Sequence, residues 1–110
     1  MPYDEKLAER VREVLGRRRG VTEKKMFGGV CFLVNGNMAC GVEKENLMVR
    51  VGPEQYERAL SKSSTRPMDF TGRALKGFVY VSPPGYRTTA ALKKWVDLGA
   101  SFARSLPRRS

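Results

Sequence analysis

Two apolar runs, Val30–Val34 and Met38–Val42, flank the dipeptide Asn35-Gly36. Both residues of an Asn-Gly pair accept positive φ, so this is the strongest short-range signal for a β-hairpin. The stretch reads as a strand over about 25 to 34, a tight turn at Asn35-Gly36, and a returning strand over about 38 to 43. Gly28-Gly29 interrupts the first strand. Glycine inside a strand marks a bulge or a close approach of another backbone, and the bulge is the preferred reading. The alternative is a nest of backbone N–H groups for an anion. A phosphate loop, however, normally opens a helix behind a longer glycine fingerprint.

The hairpin fixes how the rest of the chain reads. Asp4 suits the cap of a first helix running to about Arg19, with Leu7, Val11, Val14 and Leu15 on one face. Arg17, Arg18 and Arg19 then fall in its last turn, where cations complement the dipole, and Gly20 takes the left-handed position beyond. After the hairpin, Leu47, Val49 and Val51 alternate with Met48 and Arg50 as in a half-buried strand. Pro53 suits the first position of a short second helix. Thr65 to Phe70 reads as a strand that Pro67 confines to an edge. Residues 71 to 77 read as a connector and Phe78 to Val81 as a strand. Thr88 or Thr89 caps a last helix with the stripe Leu92, Trp95, Leu98, Phe102 and Leu106. The tail from Pro107 is expected to fray. The expected fold is a single two-layer α+β domain over 1–110. It has an antiparallel five-stranded sheet with helices, in the order α-β-β-β-α-β-β-α.

Function classes are narrowed by what the chain lacks. It has no histidine, the commonest general base and metal ligand near neutral pH, and two cysteines alone cannot close a zinc site. No paired acid or nucleophile–base arrangement fits a hydrolase or transferase, and no dinucleotide glycine motif follows a strand. No catalytic residue, cofactor or metal is expected. No apolar run approaches the roughly 20 residues of a membrane span, and the first residues lack a signal-peptide core, so a cytoplasmic protein is expected. With 21 Lys+Arg against 11 Asp+Glu, the net charge of +10 favours polyanionic partners, nucleic acid first.

Read together, several segments resemble the TfoX/Sxy N-terminal domain family. They are Lys25-Met26-Phe27-Gly28-Gly29, the Asn35-Gly36 turn, the strand Leu47 to Val51, Arg66 to Arg73, Lys76 to Val81, and the helix holding Leu92 and Trp95. The resemblance covers nearly the whole chain and rests on the ordered set of motifs rather than on any one. Its namesakes are bacterial regulators of competence for DNA uptake, in which a second, helical domain follows. Here the expectation is a stand-alone domain. The resemblance carries over no catalytic residue and implies a regulatory domain that works by binding.

Two groups of residues are candidates for function. Arg17, Arg18, Arg19, Lys24 and Lys25 flank one loop and are candidates for weak, sequence-independent contact with phosphates, with Phe27 and Tyr86 as stacking surfaces. The alternative is a solvated charged surface on a protein-interaction or assembly domain, with a regulatory protein as partner. Cys31 and Cys40 stand opposite each other if Asn35-Gly36 is a two-residue turn, which leaves open a redox switch or two buried reduced thiols. Asp69 is expected to hydrogen-bond within its own turn. The run Val30–Val34 is apolar on both strand faces. One face needs a cover, either from the last helix or from a second copy in a homo-oligomer.

Overall fold

The computed structural model describes residues 3–26, 28–70 and 72–109, with the backbone alone at positions 70, 73 and 74. Asp4 opens α1 (Glu5–Leu15). Its carboxylate accepts from the backbone N–H groups of Lys6 (2.9 Å) and Leu7 (3.1 Å), two of the donors that a helix start leaves unpaired. Leu7, Ala8, Val11 and Leu15 are buried. The helix stops earlier than the sequence suggests. Gly16, at φ 55°, ends it, and its N–H donates to the Arg12 carbonyl. Arg17, Arg18 and Arg19 therefore lie in the loop beyond and not in the last turn.

The sheet has six strands rather than five: β1 (Val21–Met26), β2 (Gly29–Val34), β3 (Asn37–Glu43), β4 (Asn46–Arg50), β5 (Thr65–Phe70) and β6 (Arg73–Val81). Their spatial order is β1-β2-β3-β4-β6-β5, and every pair is antiparallel. The strand expected over 25 to 34 is two strands, because the chain reverses at Gly28 (φ 76°) and Met26 pairs with Gly29. Gly28 is thus a turn residue and not a bulge. Gly29 serves the other expected purpose, close approach: a Cβ there would overlap the Val42 carbonyl of β3. The connector expected over 71 to 77 is in strand β6 from Arg73 onward; Thr71 and Phe27 lie outside the described residues. Pro67 sits on the edge strand β5, as the sequence requires. Asp69 pairs with Ala74 in the β5–β6 ladder, so it is a strand residue. Pro53 does not open α2 (Tyr56–Leu60), which starts after Gln55.

The Asn35-Gly36 turn is as read, with φ of 54° and 82° and Val34 paired to Asn37. The register then shifts. Leu33 faces Met38, but Phe32 faces Cys40, so Ala39 is the extra residue of a bulge in β3. One residue of slip reverses every side chain beyond it. Cys31 consequently faces Gly41, and the two cysteines sit on opposite faces of the sheet in separate apolar clusters.

On one face, α3 (Thr89–Ser105) lies across β2, β3 and β4 with α1 beside it. The Thr88 hydroxyl caps α3 by accepting from the Ala91 N–H (3.0 Å). The buried stripe is Leu92, Trp95, Val96, Gly99, Ala100 and Ala103. It is rotated from the expected one because small residues let the helix settle close to the sheet. A Cβ at Gly99 would overlap the Ala39 carbonyl at the bulge. Leu98, Phe102 and Leu106 are left only half-buried. On the helix-free face, Cys31, Met38, Met48, Met68 and Tyr80 form a second cluster. On the outward face of the Val30–Val34 run, Cys31 is buried by the chain's own methionines and Leu33 stays half-buried.

Residues 107–109, expected to fray, are held by hydrogen bonds. The Asn37 amide donates to the Pro107 carbonyl (2.9 Å), and the Arg109 N–H donates to the Asn35 carbonyl (2.8 Å). These residues are thereby laid across the β2–β3 turn.

Candidate nucleic-acid interface

The five cations singled out in the sequence do not form one patch. Lys24 faces Cys31 across the β1–β2 ladder and Lys25 faces Val30, so they project to opposite faces of the sheet. Lys24 also lies about 10 Å along the strand from Val21. Arg17 and Arg18 line a groove of about 580 Å³ between the end of α1 and β1, together with Arg12. Two of those three charges are already satisfied. Arg12 is paired with Glu23 (2.7 Å) and Glu9, and the hydrogen bond it donates to Glu23 is the largest cause holding its guanidinium protonated beyond its usual range. Arg18 is 2.7 Å from Asp97, which also takes Lys93 (2.6 Å). Burial pushes the Asp97 carboxyl up, but these two cations outweigh it and hold it below the usual carboxylate range.

The fold replaces the lysines with arginines distant in sequence. The Asn35 N–H donates to the Gly20 carbonyl (3.0 Å), which seats the β2–β3 turn against the loop after α1. At the end of α3, Arg104 donates to the Arg19 carbonyl (3.1 Å). In the tail, Arg108 donates to the Asn35 side-chain oxygen (3.2 Å). Arg109 follows, close enough to Arg50 that its charge helps burial to lower the Arg50 pKa. Three segments thus gather Arg19, Arg104, Arg108 and Arg109 around one turn, with Arg17 in the adjoining loop. Among the described residues, none of these five is within 4 Å of a carboxylate. A guanidinium has five N–H donors, so one bond to a carbonyl positions the group and leaves donors for a phosphate.

Of the two stacking surfaces expected beside the cations, Phe27 lies outside the described residues and Tyr86 is not free to stack. Tyr86 is buried, its hydroxyl donates to the Glu45 carbonyl (2.6 Å), and Arg10 lies over its ring. Half-buried Phe78 and Phe102 have the Arg50 guanidinium over both rings (5.2 and 5.4 Å). The sequence signal for this pole was the recurrence of arginine at Arg17–Arg19, Arg104 and Arg108-Arg109. What it lacked was the docked tail that joins them.

Among the described residues no helix is long and apolar enough to cross a membrane. No curated protein and no solved structure matches the chain. A family model described as the TfoX N-terminal domain matches residues 13–103, which spans the loop after α1, the whole sheet and nearly all of α3. The chain belongs to the TfoX N-terminal domain family.

Proposed function

We propose that this competence-regulator-like domain acts by binding, without catalysis, and contacts the phosphate backbone of nucleic acid through the arginine pole. The observation that supports the reading is the convergence of Arg19, Arg104, Arg108 and Arg109 on the Asn35-Gly36 turn without a carboxylate partner among the described residues. Backbone contacts of this kind position a protein but do not read sequence.

Four to five phosphate contacts correspond to a log–log salt slope of about −4, hence a loss of roughly 250-fold between 50 and 200 mM salt. Fluorescence anisotropy with short DNA and RNA of unrelated sequences tests this. Arg17, Arg19 and Arg109 make no side-chain hydrogen bond among the described residues, so Arg17→Glu/Arg19→Glu/Arg109→Glu removes charge and leaves the scaffold bonds of Arg104 and Arg108. The triple variant is expected to lose binding, whereas Lys24→Glu/Lys25→Glu keeps most of it. No binding of the wild type at low salt would reject the reading and leave a protein-interaction or assembly domain with incidental charge.

A further inference from the structure

α3 carries apolar side chains along the margin of its core-facing stripe. Ala91, Leu98 and Phe102 are half-exposed and line up at three- and four-residue steps with Trp95, the core residue at that margin. Two cavities open along them. One, of about 340 Å³, lies between Trp95, Leu98 and Pro84 and is flanked by Lys62 and Lys94. The other, of about 310 Å³, lies between Leu98, Phe102 and Pro53 and is bounded by Glu54 and Ser101. Leu98 belongs to both, so they form one groove between α3 and the two ends of α2. From Trp95 to Phe102 is seven residues, so the two cavities sit about 10 Å apart. That is the spacing of side chains i and i+7 on another helix.

The charges at the groove give the partner a polarity. Lys62 and Lys94 are exposed, and among the described residues neither is within 4 Å of a carboxylate, in contrast to Lys93 on the same helix. Glu54 stands at the opposite end. We infer that this groove docks an amphipathic helix of another protein. That helix places two large apolar side chains about two turns apart into the cavities and an acidic side chain between Lys62 and Lys94. A second copy of this chain fits poorly. Its glutamate-bearing helix, α1, balances Glu5, Glu9 and Glu13 with Lys6, Arg10 and Arg12, and already commits Leu7, Val11 and Leu15 to its own core. None of the arginines of the pole lines either cavity.

The test uses the full chain and a designed, labelled 16-residue helical peptide with Leu at i and i+7 and Glu on the flank. A scrambled peptide of the same composition and a peptide with Lys in place of Glu are the controls. Chemical-shift mapping is expected to move Lys62, Lys94, Trp95, Leu98 and Phe102. Lys62→Glu/Lys94→Glu is expected to weaken the acidic peptide roughly tenfold and to bind the Lys peptide better than the wild type does. Ser101→Trp, an exposed position, fills the second cavity and is expected to abolish binding with the fold intact. Equal binding of the scrambled peptide, or shifts confined to Arg19, Arg104, Arg108 and Arg109, would overturn the proposal. Shifts at the groove that grow with protein concentration alone would reassign it to a second copy. Loss of peptide binding in the triple arginine variant would also count against it. Loss of nucleic-acid binding in that variant bears only on the arginine pole.

Discussion

At the scale of single residues, two glycines with nearly the same backbone separate strain from collision. Gly36 (φ 82°) and Gly72 (φ 79°) both occupy the left-handed region. A Cβ at Gly72 would meet nothing within 4 Å, whereas at Gly36 it would run into the Arg109 backbone. Gly72→Ala should therefore cost about 1 kcal/mol of left-handed strain. Gly36→Ala should cost that plus about 1–3 kcal/mol of overpacking against the tail. Urea denaturation checks both, and removing residues 107–110 should bring the Gly36→Ala penalty down to that of Gly72→Ala. Equal penalties in the full chain would mean that the tail does not dock. The cysteines make a second case. Burial pushes the Cys31 thiol up to about 11 and Cys40 up to about 12, with Cys31 adding slightly to the latter. The unfolded chain ionises these thiols first, near pH 8.5, and so gains stability relative to the folded state as pH rises. Folding stability should be fully present below pH 8.5 and decline from there toward pH 11–12. Cys31→Ala/Cys40→Ala should delay that decline toward pH 10, where Tyr80, held up by burial and its bond to Glu43, begins to contribute. Denaturation midpoints from pH 7 to 11 read the difference, and identical profiles would place the thiols in solvent.

Among the elements, the β2–β3 hairpin was the most legible because Asn35-Gly36 admits few backbone alternatives. Its partner β1 was not. Thr22, Glu23, Lys24 and Lys25 carry no alternation, and an edge strand of exposed polar residues looks like a loop in sequence. Gly28 was ambiguous for a physical reason: positive φ serves a bulge and a hairpin turn equally. The Ala39 bulge left no sequence mark, since its cause is the close seat of Gly99 on the far side of the fold. That one hidden residue decided the fate of the cysteine pair. The arginine pole was half legible. Arg17, Arg19 and the tail arginines were visible as basic runs, but they become neighbours through bonds the sequence does not show, among them the Asn37 amide to the carbonyls of Pro107 and, at 3.5 Å, Ala103. Asn37 is 3% exposed, so Asn37→Ala removes a buried donor that holds the Pro107 carbonyl and should cost about 1 kcal/mol. The same change should release residues 107–109, seen as lowered backbone order parameters in ¹⁵N relaxation. A rigid tail in this variant would show that the Arg109–Asn35 bond suffices alone.

Over the whole molecule, the net charge of +10 opposes compaction, because like charges repel across a small folded surface. The ion pairs among the described residues, Arg12 with Glu9 and Glu23, and Arg18 and Lys93 with Asp97, involve none of the arginines of the pole. There Arg19, Arg104, Arg108 and Arg109 are held together by bonds to carbonyl or amide oxygens and by the backbone. Such an arrangement is stable only against its own electrostatics, and a site kept for a polyanion is expected to cost stability when empty. Replacing Arg17, Arg19 and Arg109 by Glu exchanges three cations for three anions and takes the net charge from +10 to +4. If the pole is a binding surface, this variant should melt higher than the wild type at low salt. The gain should shrink in 1 M salt, where the Debye length falls to about 3 Å. A short duplex should raise the wild-type melting temperature and leave that of the variant unchanged, since only a state that binds is stabilised by ligand. A variant that melts lower than the wild type at both salt concentrations would show that these arginines hold the fold together, and the polyanion reading would lose its physical basis.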